Sequence, residues 1–181
     1  SKIGVTGALG YLGSRVCLEL KERGFEVVPV DDFSNNKVEN IPGLEVQEQD
    51  ISSLKGLEET FSQVDAIVHL AASSSLEACT ERPEEAFRNN VKATTNIAWF
   101  CRRNKIPLSF ASSVAVFGTP KKFPIKEHTP KEPQNFYGET KLMGEEDIQR
   151  LSRENFRAHI FNIANICGAH EVGGERVARN N

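Results

Sequence analysis

Tyr137-Gly138-Glu139-Thr140-Lys141 sets a phenol and an ammonium four residues apart. On a helix, side chains at that spacing share one face. A lysine charge beside a phenol stabilises phenolate and draws its pKa down from about 10 toward neutrality. A phenol tuned in that way can take the proton of an alcohol. The same lysine could also hold ribose hydroxyls. Ser112-Ser113 closes an apolar, strand-like run. A hydroxyl there could bond the reacting oxygen and share its proton with Tyr137, or it could satisfy the backbone of a turn. A tyrosine and a lysine at this spacing are commonplace on solvated helices, so their chemical reading depends on what else the chain carries.

What else it carries is Thr6-Gly7-Ala8-Leu9-Gly10-Tyr11-Leu12-Gly13, with glycines at 7, 10 and 13 between a strand-like run and an amphipathic stretch. Glycine permits the tight turn, lets backbone approach a pyrophosphate, and lets helix pack closely on strand. Tyr11 and Leu12 lie at the entry to the helix, whose free N–H groups and positive dipole end then face phosphate. Asp31 lies 24 residues beyond Gly7, at the end of the next strand-like run. A carboxylate there accepts hydrogen bonds from ribose hydroxyls and repels a 2′-phosphate, which favours NAD over NADP. Asp32 is adjacent and competes for the role. Asp50-Ile51 follows a third short strand and could meet the adenine edge; a helix cap before Ser52-Ser53 explains Asp50 nearly as well.

These candidates need elements to hold them. Strands are predicted over 3–6, 25–30, 44–47, 66–70, 108–111 and 157–161, with Pro29 giving the second some edge character. Helices are predicted over 12–23, 53–61 (capped by Ser52 or Ser53), 83–104 and 137–154, with Pro83 suited to a first turn. Residues 119–134 hold Pro120, Pro124, Pro130 and Pro133 and read as a loop. Strand and helix in this rhythm predict an α/β fold, a Rossmann-type parallel sheet doubly wound by helices. Residues 1–168 form the nucleotide-binding domain in this reading, and 169–181 begin a connection onward.

The 181 residues are 39% hydrophobic and 26% charged, an ordinary globular balance that excludes a disordered or fibrous chain. The net charge of −3 provides no basic field for nucleic acid. No apolar run approaches the roughly 18–20 residues that span a bilayer. The chain opens on the strand-like Lys2-Ile3-Gly4-Val5, so no signal peptide is expected and a cytoplasmic setting is. Cys17, Cys79, Cys101 and Cys167 are separated by 62, 22 and 66 residues, which matches no zinc pattern. Reduced, packed thiols and no metal are the expectation.

Together these residues resemble the extended short-chain dehydrogenase/reductase family, in its NAD-dependent epimerase/dehydratase branch. The matching pieces are the glycine turn, Val30-Asp31-Asp32-Phe33, Asp50-Ile51, His69-Leu70-Ala71-Ala72 and Asn89-Asn90-Val91. Further on come Ser112 to Gly118, Tyr137 to Lys141, and Asn165-Ile166-Cys167-Gly168, in the family's order and spacing. The resemblance implies Ser113 as the catalytic hydroxyl, Tyr137 as base and Lys141 as its partner. It implies Asp31, Asp50, Ile51, Leu70, Ala71, Ala72 and Asn90 around NAD. Ser113 and Asn165 would touch substrate. It also implies a homodimer through the helices at 83–104 and 137–154, the first bearing Trp99 and Phe100, and a C-terminal substrate lobe largely missing from these residues.

The implied activity is that of a nucleotide-sugar 4-epimerase. A sugar hydroxyl is transiently oxidised by hydride transfer to bound NAD, and hydride returns to the opposite face. Val114-Ala115 stand where dehydratases of the family carry an Asp-Glu pair, and they have no acid–base capacity, which argues against elimination and decarboxylation. The family often has tyrosine where Phe117 stands and arginine where Asn162 stands. The alternatives are a net dehydrogenase or reductase of a small alcohol or amino alcohol, and a nucleotide-binding sensor without turnover.

Overall fold

The computed structural model describes residues 1–166, apart from the side chains of residues 154 and 155. Cys167, Gly168 and the expected connection over 169–181 lie outside the described residues.

Among the described residues, six strands form one parallel sheet: β1 Lys2–Thr6, β2 Glu26–Asp31, β3 Gln47–Glu48, β4 Ala66–His69, β5 Leu108–Ser113 and β6 Ala158–Ile163. Their order across the sheet is β3-β2-β1-β4-β5-β6. The order reverses between β1 and β4, and in such sheets ligands gather at the carboxyl ends beside that reversal. Thr6 pairs with His69 at this point, and Ser113 ends β5 on the same edge.

Helices cover both faces. They are α1 Tyr11–Glu22, α2 Leu57–Thr60, α3 Leu76–Glu81, α4 Pro83–Phe87, α5 Ala93–Asn104 and α6 Phe136–Asn155. Strand side chains alternate between faces. Ile3 and Val5 join Leu9, Cys17 and Ile41 on the α1 side. Val28, Val30, Ile67, Leu108 and Phe110 join Phe61, Ile97 and Ile148 on the α5/α6 side. The expected doubly wound sheet is what forms.

Several local expectations are corrected. The third strand is shorter and later than 44–47: only Gln47–Glu48 pair, with Val30 and Asp31, while Leu44 bridges back to Ile41. Pro29 therefore lies where β2 has no outer neighbour, and its missing N–H costs nothing there. The helix expected over 53–61 shrinks to α2, because Gly56 at φ 87° turns the chain and Asp50, rather than a serine cap, organises the approach. α3 was not foreseen. Ser75 caps it by accepting from the Ala78 N–H, and it ends at Arg82, which Pro83 keeps out of helical geometry. The helix predicted over 83–104 is divided: α4 passes through a π-helical segment, Arg88–Lys92, into α5. Such a segment carries one extra residue per turn relative to the α-helix.

Candidate active site

The glycine turn is a close contact between three pieces of backbone. Gly7 has φ 69°, and a Cβ there would lie 2.7 Å from the Ala71 nitrogen. A Cβ on Gly13 would overlap the Gly7 carbonyl oxygen. Only bare backbone lets α1 seat this tightly on the end of β1. Gly10 is the N-cap of α1 and no side chain caps it. The N–H groups of a first helical turn, here including those of Leu12 and Gly13, point along the helix axis and suit an anion.

Asp31 fastens this turn. Its carboxylate accepts from the Leu9 N–H at 2.9 Å and the Phe33 N–H at 3.1 Å. Burial raises its pKa, and those two backbone donors oppose the rise. Asp32 takes a separate part, accepting from the backbone and hydroxyl of Ser34 within its own exposed loop. Asp50 is likewise engaged locally, accepting from the Ser52 N–H at 2.8 Å. Partial burial resists its ionisation, but the Ser52 hydrogen bonds and the charges of Arg88 and Lys92 leave its pKa below the ordinary value. The Ile51 side chain is in the core, so the residue could meet a ligand only through backbone.

Across the sheet reversal, Thr6 Oγ1 accepts from the N–H groups of Leu70 and Ala71 and bonds His69 Nδ1 at 2.7 Å. His69 Nε2 bonds Thr94 Oγ1 at 2.8 Å, and its ring stacks on Phe110. Burial first, then the Lys141 charge, hold the His69 pKa down to about 3, so the ring is a neutral strut. Asn90 is wholly buried in the π-helical segment. Its amide accepts from the Ser73 N–H and donates to the Ser73 carbonyl and Thr140 Oγ1. That spends the side chain on clamping the loop that follows Leu70, Ala71 and Ala72 to α6, so any part in cofactor binding runs through that loop.

α6 delivers the phenol. Asn135 caps it by accepting from the Gly138 N–H at 2.8 Å. A Cβ on Gly138 would lie 2.6 Å from the Ala115 carbonyl oxygen, so glycine lets α6 press onto the turn Val114–Phe117 that follows Ser113. Tyr137 faces Ser113 as a result, close enough for that hydroxyl to act on the phenol. Ser113 Oγ also accepts from the Ala115 N–H at 3.1 Å, which orients it. Ser112 points to the other face of β5, and its buried hydroxyl has no hydrogen-bond partner.

Lys141 is 2% exposed, with Nζ 4.4 Å from the centre of the Phe110 ring. Burial lowers its pKa to about 8, and Glu145 works in the opposite direction. Tyr137 differs from expectation. Its pKa is raised, because burial outweighs the opposing influence of the Ser113 hydroxyl, with Cys79 adding to the rise. The expected lowering of the phenol is not present in this geometry, although Tyr137 and Ser113 lie side by side. Asn165 is exposed, just past β6, which pairs with β5 up to Ser113.

The structure thus brings Gly7, Gly10, Gly13, Asp31, Leu70, Ala71, Ser113, Tyr137 and Lys141 to one edge of the sheet. A cradle that any Cβ would fill, an uncapped helix start and a carboxylate beside it fit a dinucleotide. Sequence reasoning missed the roles of Thr6 and His69, and it missed Glu145, although Glu145 stands four residues beyond Lys141 and so on its helix face. Among the described residues, no group of three or more His, Cys, Asp or Glu could hold a metal.

The model of a family described as the NAD dependent epimerase/dehydratase family matches residues 3–180. The UDP-glucose 4-epimerase of Azospirillum brasilense is 34% identical over 174 residues, covering 93% of this chain and 50% of that protein. That of Pisum sativum is 33% identical over 190 residues, covering 95% and 54%. The crystal structure of UDP-glucose 4-epimerase from Brucella ovis in complex with NAD superposes with TM-score 0.90 at 28% identity, covering 100% of this chain and 58% of that one. The enzyme from Bifidobacterium longum, in complex with NAD+ and UDP, gives 0.86 at 27% identity, covering 98% and 58%. The chain spans about half the length of the curated relatives it matches.

Proposed function

Because the chain belongs to the NAD-dependent epimerase/dehydratase family, we propose that it supplies the cofactor-binding and proton-transfer part of a nucleotide-sugar 4-epimerase of the UDP-glucose type. The observation that carries this reading is that Tyr137 faces Ser113 at the end of β5, with buried Lys141 one turn further along α6. NAD held on the glycine turn would supply the hydride acceptor and donor. Gly7, Gly10 and Gly13 let it approach, the first turn of α1 neutralises its phosphates, and Asp31 receives a ribose. Asp50, Ile51, Ala72 and Asn90 support the adenine and nicotinamide sides through the loops they organise.

Ser113 positions the sugar oxygen, and Tyr137 takes its proton and later returns it. Lys141 contributes a positive charge behind the phenol and a donor for ribose hydroxyls. Tyr137 is a weak base while burial dominates its surroundings, so it needs further positive charge near the ring before it ionises at neutral pH. Val114 and Ala115 offer no acid or base beside the sugar, which supports epimerisation over elimination. Asn165 would meet the substrate from the end of β6.

We place this chain in a homodimer. Phe87, Trp99 and Met143 are exposed on α4, α5 and α6, with Arg102 stacked over Trp99, whereas Phe100 faces the core. Cys17, Cys79 and Cys101 are free, buried thiols, in keeping with a reducing, cytoplasmic setting. Among the described residues, no helix is long and apolar enough to cross a membrane.

The test is to purify the full-length protein and supply UDP-glucose or UDP-galactose without added NAD. Interconversion, with no net NADH, is expected. Accumulating NADH would favour a net dehydrogenase, and NAD binding without turnover on any nucleotide sugar would favour a sensor.

A further inference from the structure

Glu145 is wholly buried on α6, one helical turn beyond Lys141. A buried carboxylate is costly unless it is paired and hydrogen-bonded. Its Oε2 is ion-paired with Lys131 Nζ. Its Oε1 accepts from Asn162 Nδ2 at 2.6 Å, and the same amide lies 3.4 Å from the Ser113 carbonyl oxygen. Lys131 comes from the proline-rich connection over 119–134, and its ammonium stands 5.7 Å from the centre of the Phe117 ring. Phe117 closes the turn that begins at Ser113. One carboxylate therefore acts on the lysine of the site, on the strand end that carries its serine, and on the loop beside it.

We propose, building on the function read above, that Glu145 is a positioning residue for Ser113, Tyr137 and Lys141, and that Lys131 is its counter-charge, strapping the proline-rich loop beside the site. This is not a solvated surface pair. The Glu145 side chain is 1% exposed and that of Lys131 24%. Removing one partner of such a pair leaves a charge buried without compensation, which is far costlier than breaking an exposed ion pair. Without Lys131 the carboxylate keeps the neutral Asn162 amide as its hydrogen-bond partner and the Lys141 charge one turn away, and the loop loses its tie to α6. Asn162 already reaches Oε1, so a cation at that position can take over the pairing.

The test compares Lys131→Met, Lys131→Arg and the double variant Lys131→Met/Asn162→Arg with the parent, all in the full-length protein. Three quantities are read: kcat on a nucleotide sugar, NAD affinity by calorimetry, and the rate of tryptic cleavage at Lys121, Lys122 and Lys126 in the same connection. Lys131→Met is expected to lower kcat on the order of 10- to 100-fold by misplacing the reacting groups. It should leave NAD affinity unchanged and be cut faster. Lys131→Arg should behave as the parent, and the double variant should recover both kcat and protection. Parent-like kcat and cleavage in Lys131→Met would overturn the proposal. So would a double variant no better than Lys131→Met while Lys131→Arg is normal. If the parent turns over no nucleotide sugar, the functional reading fails by itself, and the cleavage rates decide the strap: faster cutting of Lys131→Met, reversed in the double variant, supports it, and equal rates overturn it.

Discussion

Replacing Lys141 by methionine should stabilise the protein while removing its activity. Lys141 is 2% exposed, and burial brings its pKa from 10.5 to about 8. At about 1.4 kcal/mol per pKa unit, holding the ammonium in that site costs about 3 kcal/mol at neutral pH. The folded pKa is lower than the unfolded one, so the unfolded chain binds this proton more tightly. Stability therefore rises with pH between about 8 and 10.5 and is flat below 8 as far as this group is concerned. Methionine is likewise unbranched, one atom shorter, and packs well against an aromatic ring such as Phe110. Glu145 loses one favourable neighbour but keeps Lys131 and Asn162. Lys141→Met should thus gain up to about 3 kcal/mol at pH 7, roughly 6–12 °C in melting temperature for a chain of this length. The gain should fade by about pH 10.5. Urea denaturation of both proteins at pH 7 and pH 10 measures this. A methionine variant less stable than the parent at pH 7, or a gain that does not shrink with pH, would refute the reasoning.

Tyr137→Phe should lower turnover on the order of 10²- to 10⁴-fold and leave NAD binding intact by calorimetry, since only the proton carrier is lost. Gly13→Ala should cost about 1–3 kcal/mol and abolish NAD binding, because its Cβ meets immovable backbone at Gly7. Gly24→Ala, at φ 80° with open space around it, should cost about 1–2 kcal/mol and leave NAD binding unchanged; equal effects on binding would contradict the packing argument. The buried, neutral His69 should make the fold acid-sensitive. Its pKa falls from 6.5 to about 3, so the unfolded chain takes the proton first as pH drops. Stability should then decline by about 1.4 kcal/mol per pH unit below about 6.5, flattening near 3. His69→Gln should lack that part of the slope in urea titrations from pH 7 to pH 4.

The parallel sheet was legible because its strands are short apolar runs between amphipathic stretches, a pattern that survives without knowledge of tertiary contacts. The glycine turn was legible because bare backbone is a chemical requirement that only one residue type meets. The region between β2 and α2 was not. Leu44 and Val46 are apolar and strand-like, yet only Gln47 and Glu48 find a partner, and pairing is a property of the neighbour rather than of the segment. α3 was hidden by its shortness, and only the hydrogen bond from Ala78 to Ser75 marks a helix start. Within the site, residue types were readable and their electrostatics were not. The spacing of Tyr137 and Lys141 suggested an acidic phenol, whereas burial, which no spacing reports, raises its pKa.

The extra residue within Arg88–Lys92 has a lasting effect on everything downstream of it. Each residue advances an α-helix by about 100°, so deleting one position there would rotate α5 by roughly that angle against its sheet. Trp99, now outward, would swing toward the sheet, and Ile97 and Phe100, now inward, would leave it. The segment works as a phase adjuster: upstream, Asn90 keeps its aim at the site, while downstream the outward face is set separately. A change of length at this point would trade the geometry of one end of the helix against the other.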